Sequence, residues 1–367
     1  MKSKYSFLFE KETLPSGIEL KNKIVMAPMT NFSSNDDGTV TDAEVAYYAR
    51  RSKGVAAVIT ACTYVTPNGK GFPGEFAGDR DEMIPSLERL ASAIKAEGAK
   101  AILQIFHGGR MVPPNLVDGD VVSASSVPAA AEGSPVPREL SAAEIDEIIA
   151  AFGETTRRAV EAGFDGVEIH GANGYLIQQF FSPHSNRRTD QWGERLAFPL
   201  AVVDTVKQAA SKAGRPFAVG YRFSPEEPET PGLTMADTLE LIDALKEKEL
   251  DYLHVSLMEF WSEPRRGVDD TRTRLEIIKE RAGDAMPVIG VGSIYTADDA
   301  VKALGTGVDF IAIGRGLIIE PDWVQKVESG REETIAVKLD KDAQEQLVVP
   351  DPLWQAIVNA PGWFPGV

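Results

Sequence analysis

Short runs of consecutive apolar residues alternate along this chain with longer stretches in which apolar positions recur every three or four residues. The runs fall at 23–28, 56–61, 101–106, 166–170, 217–222, 252–256, 287–291 and 310–314. Each is near-continuous rather than alternating, the pattern of a parallel strand covered on both faces. The helical stretches include 86–97, 141–162, 196–213, 234–248 and 296–304. Several carry start signals: Ser141 with Glu144 forms a capping-box pattern, and Thr234 and Thr296 stand at N-cap positions. Eight strand–helix units predict an α/β protein, a (β/α)8 TIM barrel. A doubly wound sheet would want a G-x-G-x-x-G turn after an early strand, and Gly290-Val-Gly292-Ser-Ile-Tyr295 lacks the third glycine. With no repeat, low-complexity tract or linker, residues 1–367 read as one domain.

Three segments lie outside this alternation. Residues 8–22 hold a Pro15-Ser16-Gly17 turn between short apolar runs, predicting an N-terminal hairpin that closes the barrel floor. Residues 107–140 form a long loop after strand 3, at the end of a barrel where long loops shape the site. The C-terminal tail 343–367 carries Trp354, Trp363 and Phe364, which predicts docking, against the barrel or against a second copy in a homodimer.

Composition narrows the partners. With 38 Lys+Arg against 55 Asp+Glu, the net charge of −17 excludes a phosphate-neutralising face, so no nucleic acid is expected. An anionic membrane surface would repel the chain as well. The single cysteine, Cys62, forms neither an intramolecular disulfide nor a cysteine-built metal site, which fits a reducing cytoplasm. The first apolar run ends at Glu10, too short for a secretory signal. No apolar stretch approaches the ~18–20 residues of a membrane span.

Barrel chemistry concentrates at the C-terminal ends of the strands. Those ends read Ala27-Pro28-Met29-Thr30, Ala61-Cys62, Gln104, His170, Arg222, Gly290-Val291-Gly292-Ser293 and Gly314-Arg315. A glycine closes many strands, so either Gly turn alone says little. Two of them, after strands seven and eight, mark the recurrent phosphate site of such barrels. A lone His at a strand end is more often structural, and an Arg there can serve an ion pair.

The segment Val167-Glu168-Ile169-His170-Gly171-Ala172-Asn173-Gly174-Tyr175-Leu176, continuing to Ser182-Pro183-His184-Ser185-Asn186-Arg187-Arg188-Thr189-Asp190, changes that balance. It resembles the signature of the old yellow enzyme family of FMN-dependent ene-reductases, and the likeness runs from about residue 8 to residue 323. The resemblance implies bound FMN and NADH or NADPH as reductant, in a ping-pong cycle. It places Ala27, Pro28, Met29 and Thr30 along the flavin edge, Ala61 by the ring, Gln104 at the pyrimidine edge and Arg222 by N1 and O2. Gly292, Ser293, Gly314 and Arg315 would hold the phosphate. His170 and Asn173 would bind the substrate carbonyl oxygen, and Tyr175 would donate the proton. Many relatives carry a second His at the place of Asn173, and one branch has Cys at the place of Thr30.

The chemistry is coherent on its own terms. Reducing a C=C bond conjugated to a carbonyl needs a hydride, donors for the enolate oxygen and a proton for the α-carbon. Two donors aimed at one oxygen act like an oxyanion hole, at ~3 kcal/mol each. A tyrosine with pKa near ~10 stays protonated at neutral pH. The expected function is reduction of enones, and of quinones or nitro compounds; the alternative is a flavin diaphorase, or a quinone or nitro reductase, without alkene specificity. An aldolase-like barrel would want a lysine or a carboxylate cluster at the strand ends, and none stands there.

Other residues read as framework: His107 and Arg110 at the start of the long loop, and His184, Asn186, Arg187 and Arg188 after the signature. Cys62 reads as a small apolar core residue. Arg265, Arg266, Arg272 and Arg274 read as a solvated charged loop.

Overall fold

The computed structural model describes residues 3–367. Eight strands, β1 (Ile24–Met26), β2 (Ala57–Ile59), β3 (Lys100–Phe106), β4 (Gly166–Gly171), β5 (Ala218–Phe223), β6 (Tyr252–Val255), β7 (Val288–Val291) and β8 (Phe310–Ile313), each pair in parallel with the next. Strand β8 pairs back onto β1, Ile311 opposite Ile24, so the sheet closes into the expected (β/α)8 barrel.

Helices follow the strands on the outside. Ala142–Glu161, Met235–Lys246 and Ala297–Leu304 open on capping boxes at Ser141, Thr234 and Thr296. The helices Asp42–Ser52 and Arg274–Ala282 open the same way, at Thr41 and Thr273. Each box satisfies two of the N–H groups that a helix start leaves unpaired. Ile84–Ala96 and Ala197–Ala210 open without a side-chain cap; the former begins two residues before the periodic stretch, with Pro85 in its first turn.

The floor is closed by the predicted hairpin. Strands Glu12–Thr13 and Glu19–Leu20 pair antiparallel, and Gly17 takes φ +88°, a conformation that favours glycine. Its Leu14, Ile18 and Leu20 pack beneath Val25, Ile59, Ile102, Ile289 and Phe310, which fill the lower barrel. Residues two apart along a strand face the same side. Gln104, Glu168 and His254 therefore sit one step above Ile102, Gly166 and Tyr252.

The long loop is tied down by Arg110 from within it and by Arg188 from the segment after β4. Short strands Val122–Ser123 and Arg138–Glu139 pair in parallel within it. Arg110 donates to the carbonyls of Val127 and Pro128, and Arg188 to those of Ala124 and Leu140. Asn186 donates to the carbonyls of Phe180 and Trp192. The arginine-rich loop after β6 is less solvated than its composition predicts. Arg274 is buried and paired with Glu226 at 2.6 Å, and Arg266 donates to the carbonyls of Glu227 and Glu229.

The tail packs on its own barrel. Leu353, Trp354 and Ile357 of helix Asp351–Val358 join the main core, with Phe364. Buried Arg51 donates to the carbonyls of Leu347 and Val348, and Arg315 to that of Trp363. Of the N-terminal stretch 1–10, residues 1 and 2 lie outside the described residues. Among the described residues no helix is long and apolar enough to cross a membrane.

Candidate active site

The C-terminal strand ends open into one cavity of about 470 Å³, within the ~300–1,000 Å³ usual for small-molecule sites. Ten expected residues line it: Ala27, Pro28, Met29 and Thr30 from the end of β1, Asn173 after β4, Arg222 on β5, Gly292 and Ser293 after β7, and Gly314 and Arg315 after β8. Four others do not line it. Gln104 lies within the barrel, His170 and Tyr175 stand in an aromatic cluster, and Ala61 is buried with its N–H donating to Tyr48 Oη at 2.8 Å. The next residue, Cys62, is the one whose thiol faces Thr30 and Glu75, and burial raises its pKa.

Arg222 is the decisive cation. It is 8% exposed, its Nε has no hydrogen-bond partner among the described residues, and no carboxylate there forms a salt bridge with it. Burial lowers its pKa and Glu168 opposes that shift. A buried guanidinium with an unpaired N–H bordering a cavity calls for an acceptor-rich or anionic ligand. After β7 and β8, Arg315 donates to Ser293 Oγ at 2.8 Å, and the one hydroxyl proton of Ser293 is shared between Met258 O and Glu259 Oε1. The cavity thus offers a cation from β5 and a hydroxyl with a second cation after β7 and β8. A flavin ring with carbonyl oxygens and a terminal phosphate fits that donor set.

His170 and Asn173 are both preset as donors. The Ala172 N–H donates to His170 Nδ1 at 3.3 Å, and burial, with Arg222 and His254, holds the ring well below the ordinary imidazole pKa. The neutral ring therefore carries its proton on Nε2. Asn173 Oδ1 accepts from Ser256 Oγ at 2.8 Å and Ser224 Oγ at 3.4 Å, leaving Nδ2 to donate elsewhere. Asn173, Phe32 and Ser293 all hold left-handed backbone at this mouth, with φ of 58°, 57° and 51°. Such strain in non-glycine residues gathers where the surroundings fix a site.

Tyr175 packs edge-on against Phe106 and His170, both with ring centroids 5.0 Å away. Burial pushes its pKa well up, so the hydroxyl stays protonated. Phe72, a cavity-lining residue, meets Tyr175 at 6.3 Å and Phe32 at 5.8 Å. Its loop is anchored by Glu75, which accepts from the N–H groups of Gly71 and Phe72.

The sequence pattern of the NADH:flavin oxidoreductase / NADH oxidase family matches residues 8–334. The chain belongs to that family. It is 54% identical, over 100% of its length and 99% of the relative's, to the probable NADH-dependent flavin oxidoreductase YqiG of Bacillus subtilis. It is 45% identical to the NADH:fumarate oxidoreductase of Klebsiella pneumoniae over 94% of this chain and 38% of that protein. The old yellow enzyme from Trypanosoma cruzi superposes with TM-score 0.77 at 27% identity, covering 89% of this chain and 93% of that one. Morphinone reductase in complex with tetrahydroNAD superposes with TM-score 0.75 at 29% identity, covering 88% and 91%. The family's members are FMN oxidoreductases that use NAD(P)H, and this chain is one of them.

Several lining residues escaped sequence reading: Phe32, Phe72, Leu257, Met258, Tyr295 and Trp363. All lie in loops or in the tail, where no periodicity points to them. Glu168 and His254, buried below the cavity, are hidden inside apolar strand runs.

Proposed function

We propose that this flavin oxidoreductase reduces the C=C bond of α,β-unsaturated carbonyl compounds at the cavity on the C-terminal strand ends, the whole chain acting as one unit in the cytoplasm. One observation carries the reading: His170 and Asn173 have their acceptor atoms tied back, leaving Nε2–H and Nδ2–H as donors. Ala27, Pro28, Met29, Thr30 and Arg222 would hold the FMN ring system, with Gly292, Ser293, Gly314 and Arg315 at its phosphate. Bound FMN supplies the hydride at N5. His170 and Asn173 bind the substrate carbonyl oxygen and stabilise the charge that grows on it as the β-carbon is reduced. Tyr175, kept protonated by burial, gives its proton to the α-carbon. The buried ring of Phe106 beneath His170 and Tyr175 keeps water from that face.

The test is the visible spectrum of the purified protein, first with anaerobic NADH or NADPH and then with cyclohexenone. A flavin spectrum that bleaches with the nicotinamide and returns with the enone is the expected result. A flavin that bleaches and ignores the enone, while quinones restore it, overturns alkene reduction and leaves a diaphorase.

A further inference from the structure

Between the apolar floor and the cavity, the barrel holds polar side chains that the chemistry above leaves unused. Glu168 on β4 is fully buried; its Oε1 accepts from Gln104 Nε2 of β3 at 2.8 Å. Its Oε2 meets His254 Nδ1 of β6 at 2.9 Å, and His254 is equally buried. His254 Nε2 has no partner among the described residues. Arg222, on the strand between them, pairs in register with both His170 and His254.

A carboxylate in this position is expensive to desolvate, and well-packed apolar residues in such places are commonly no less stable. Structure alone therefore gives weak reason for it. Burial raises the Glu168 carboxyl, but His254 above all, then Arg222 and Gln104, overcome this and keep it below the ordinary value. Burial and Arg222 keep His254 neutral against the pull of Glu168. The net result is one negative charge set against the one cation that faces the cavity from below, in a medium where charges are weakly screened.

The geometry points to Glu168 as a positioning residue for bound FMN: it turns the Gln104 amide and offsets Arg222, so that the cofactor's reduction potential lies below the value Arg222 alone would set. The proposal rests on FMN binding in this cavity and not on alkene reduction. Reduction adds negative charge to the flavin, and an uncompensated Arg222 would stabilise that charge. Removing the Glu168 charge should therefore favour the reduced cofactor.

The experiment is a dye-coupled potentiometric titration of the holoenzyme, which reads no turnover. Glu168→Gln keeps the shape and removes the charge; Glu168→Met does so without an unpaired amide and serves if the first variant folds poorly. Either should raise the reduced-to-oxidised ratio at fixed potential about tenfold, a shift of about +30 mV for a two-electron couple. Phe310→Ala, which changes the packing of the barrel floor but leaves Glu168 and its partners in place, should leave the potential in place. An unchanged or lowered potential in the Glu168 variants with FMN still bound overturns the proposal, as does an equal shift from Phe310→Ala. A parent protein that binds no FMN would instead defeat the cofactor reading, and an intact shift without enone turnover would defeat only the alkene chemistry.

Discussion

The two interior levels of this barrel follow opposite rules. Below, Val25, Ile59, Ile102, Ile289 and Phe310 interlock with the hairpin residues Leu14, Ile18 and Leu20 and leave no charge. Above, Gln104, Glu168, Arg222 and His254 form a buried polar layer in which Arg222 Nε and His254 Nε2 lack partners. One strand serves both levels: Ile102 and Gln104 are two residues apart on β3, and the pleat turns both inward. Stability and chemistry are separated here by one pleat repeat, about 7 Å by strand geometry. The charged side chains stand on the level that faces the cavity, and the lower level keeps only the neutral Tyr252 hydroxyl among its apolar groups.

That separation predicts which changes cost activity and which cost folding. The largest effect belongs to the mouth. Replacing His170 and Asn173 together by Ala should leave FMN bound and the fold intact while slowing reoxidation by cyclohexenone about 10³-fold or more, since each such donor is worth about 10²–10³. Stopped-flow measurement of the two half-reactions decides it. Parent-like reoxidation would remove the carbonyl-binding role from both residues.

At the floor, Phe310 is 2% exposed among the hairpin's apolar side chains. Phe310→Ala should lower the unfolding free energy by about 3–5 kcal/mol through lost burial and the cavity left behind. The flavin spectrum and both half-reactions should stay as in the parent at 25 °C. Denaturant unfolding beside rapid kinetics reads both sides. A variant as stable as the parent, or one slowed in chemistry, would show that the two levels are coupled.

How much of this was legible in the sequence follows from the same geometry. All eight strands were readable because strands buried on both faces spell continuous apolar runs. Three helix starts, at Ser141, Thr234 and Thr296, carry readable cap signals, while the boxes at Thr41 and Thr273 precede helices outside the periodic stretches. The strand ends converge, so residues read off them, such as Thr30, Arg222, Ser293 and Arg315, meet in one cavity. A continuous apolar run, however, carries no parity. It does not say whether Ala61 or Cys62 turns inward, and Cys62 is the residue that faces Thr30. Gln104 was read as a strand end, but β3 runs on to Phe106, which sets Gln104 one pleat repeat below the mouth. Glu168 and His254 stand inside apolar runs and meet only because β4 and β6 flank β5. Arg274 looked solvated by composition, and only the fold brings Glu226 to it.

The smallest expected effect tests how finely the mouth is set. Ser256, the residue just after β6, lines the cavity, so the chain passes from floor to charge layer to mouth in Tyr252, His254 and Ser256. Its hydroxyl donates to Asn173 Oδ1 at 2.8 Å, with Ser224 the weaker second donor at 3.4 Å. Ser256→Ala leaves the Asn173 backbone anchored, because its N–H still donates to Ser224 Oγ at 2.9 Å. What is lost is the bias of the amide toward presenting Nδ2. A neutral hydrogen bond of this kind is worth about 1 kcal/mol, so kcat/KM for the enone should fall about fivefold. Reduction by NADH, read at the flavin, should hold at the parent rate if Asn173 acts on the substrate carbonyl alone. A fall of the same size in both half-reactions would mean that Asn173 also orients the nicotinamide, and the mouth would then be one shared subsite for both reactants.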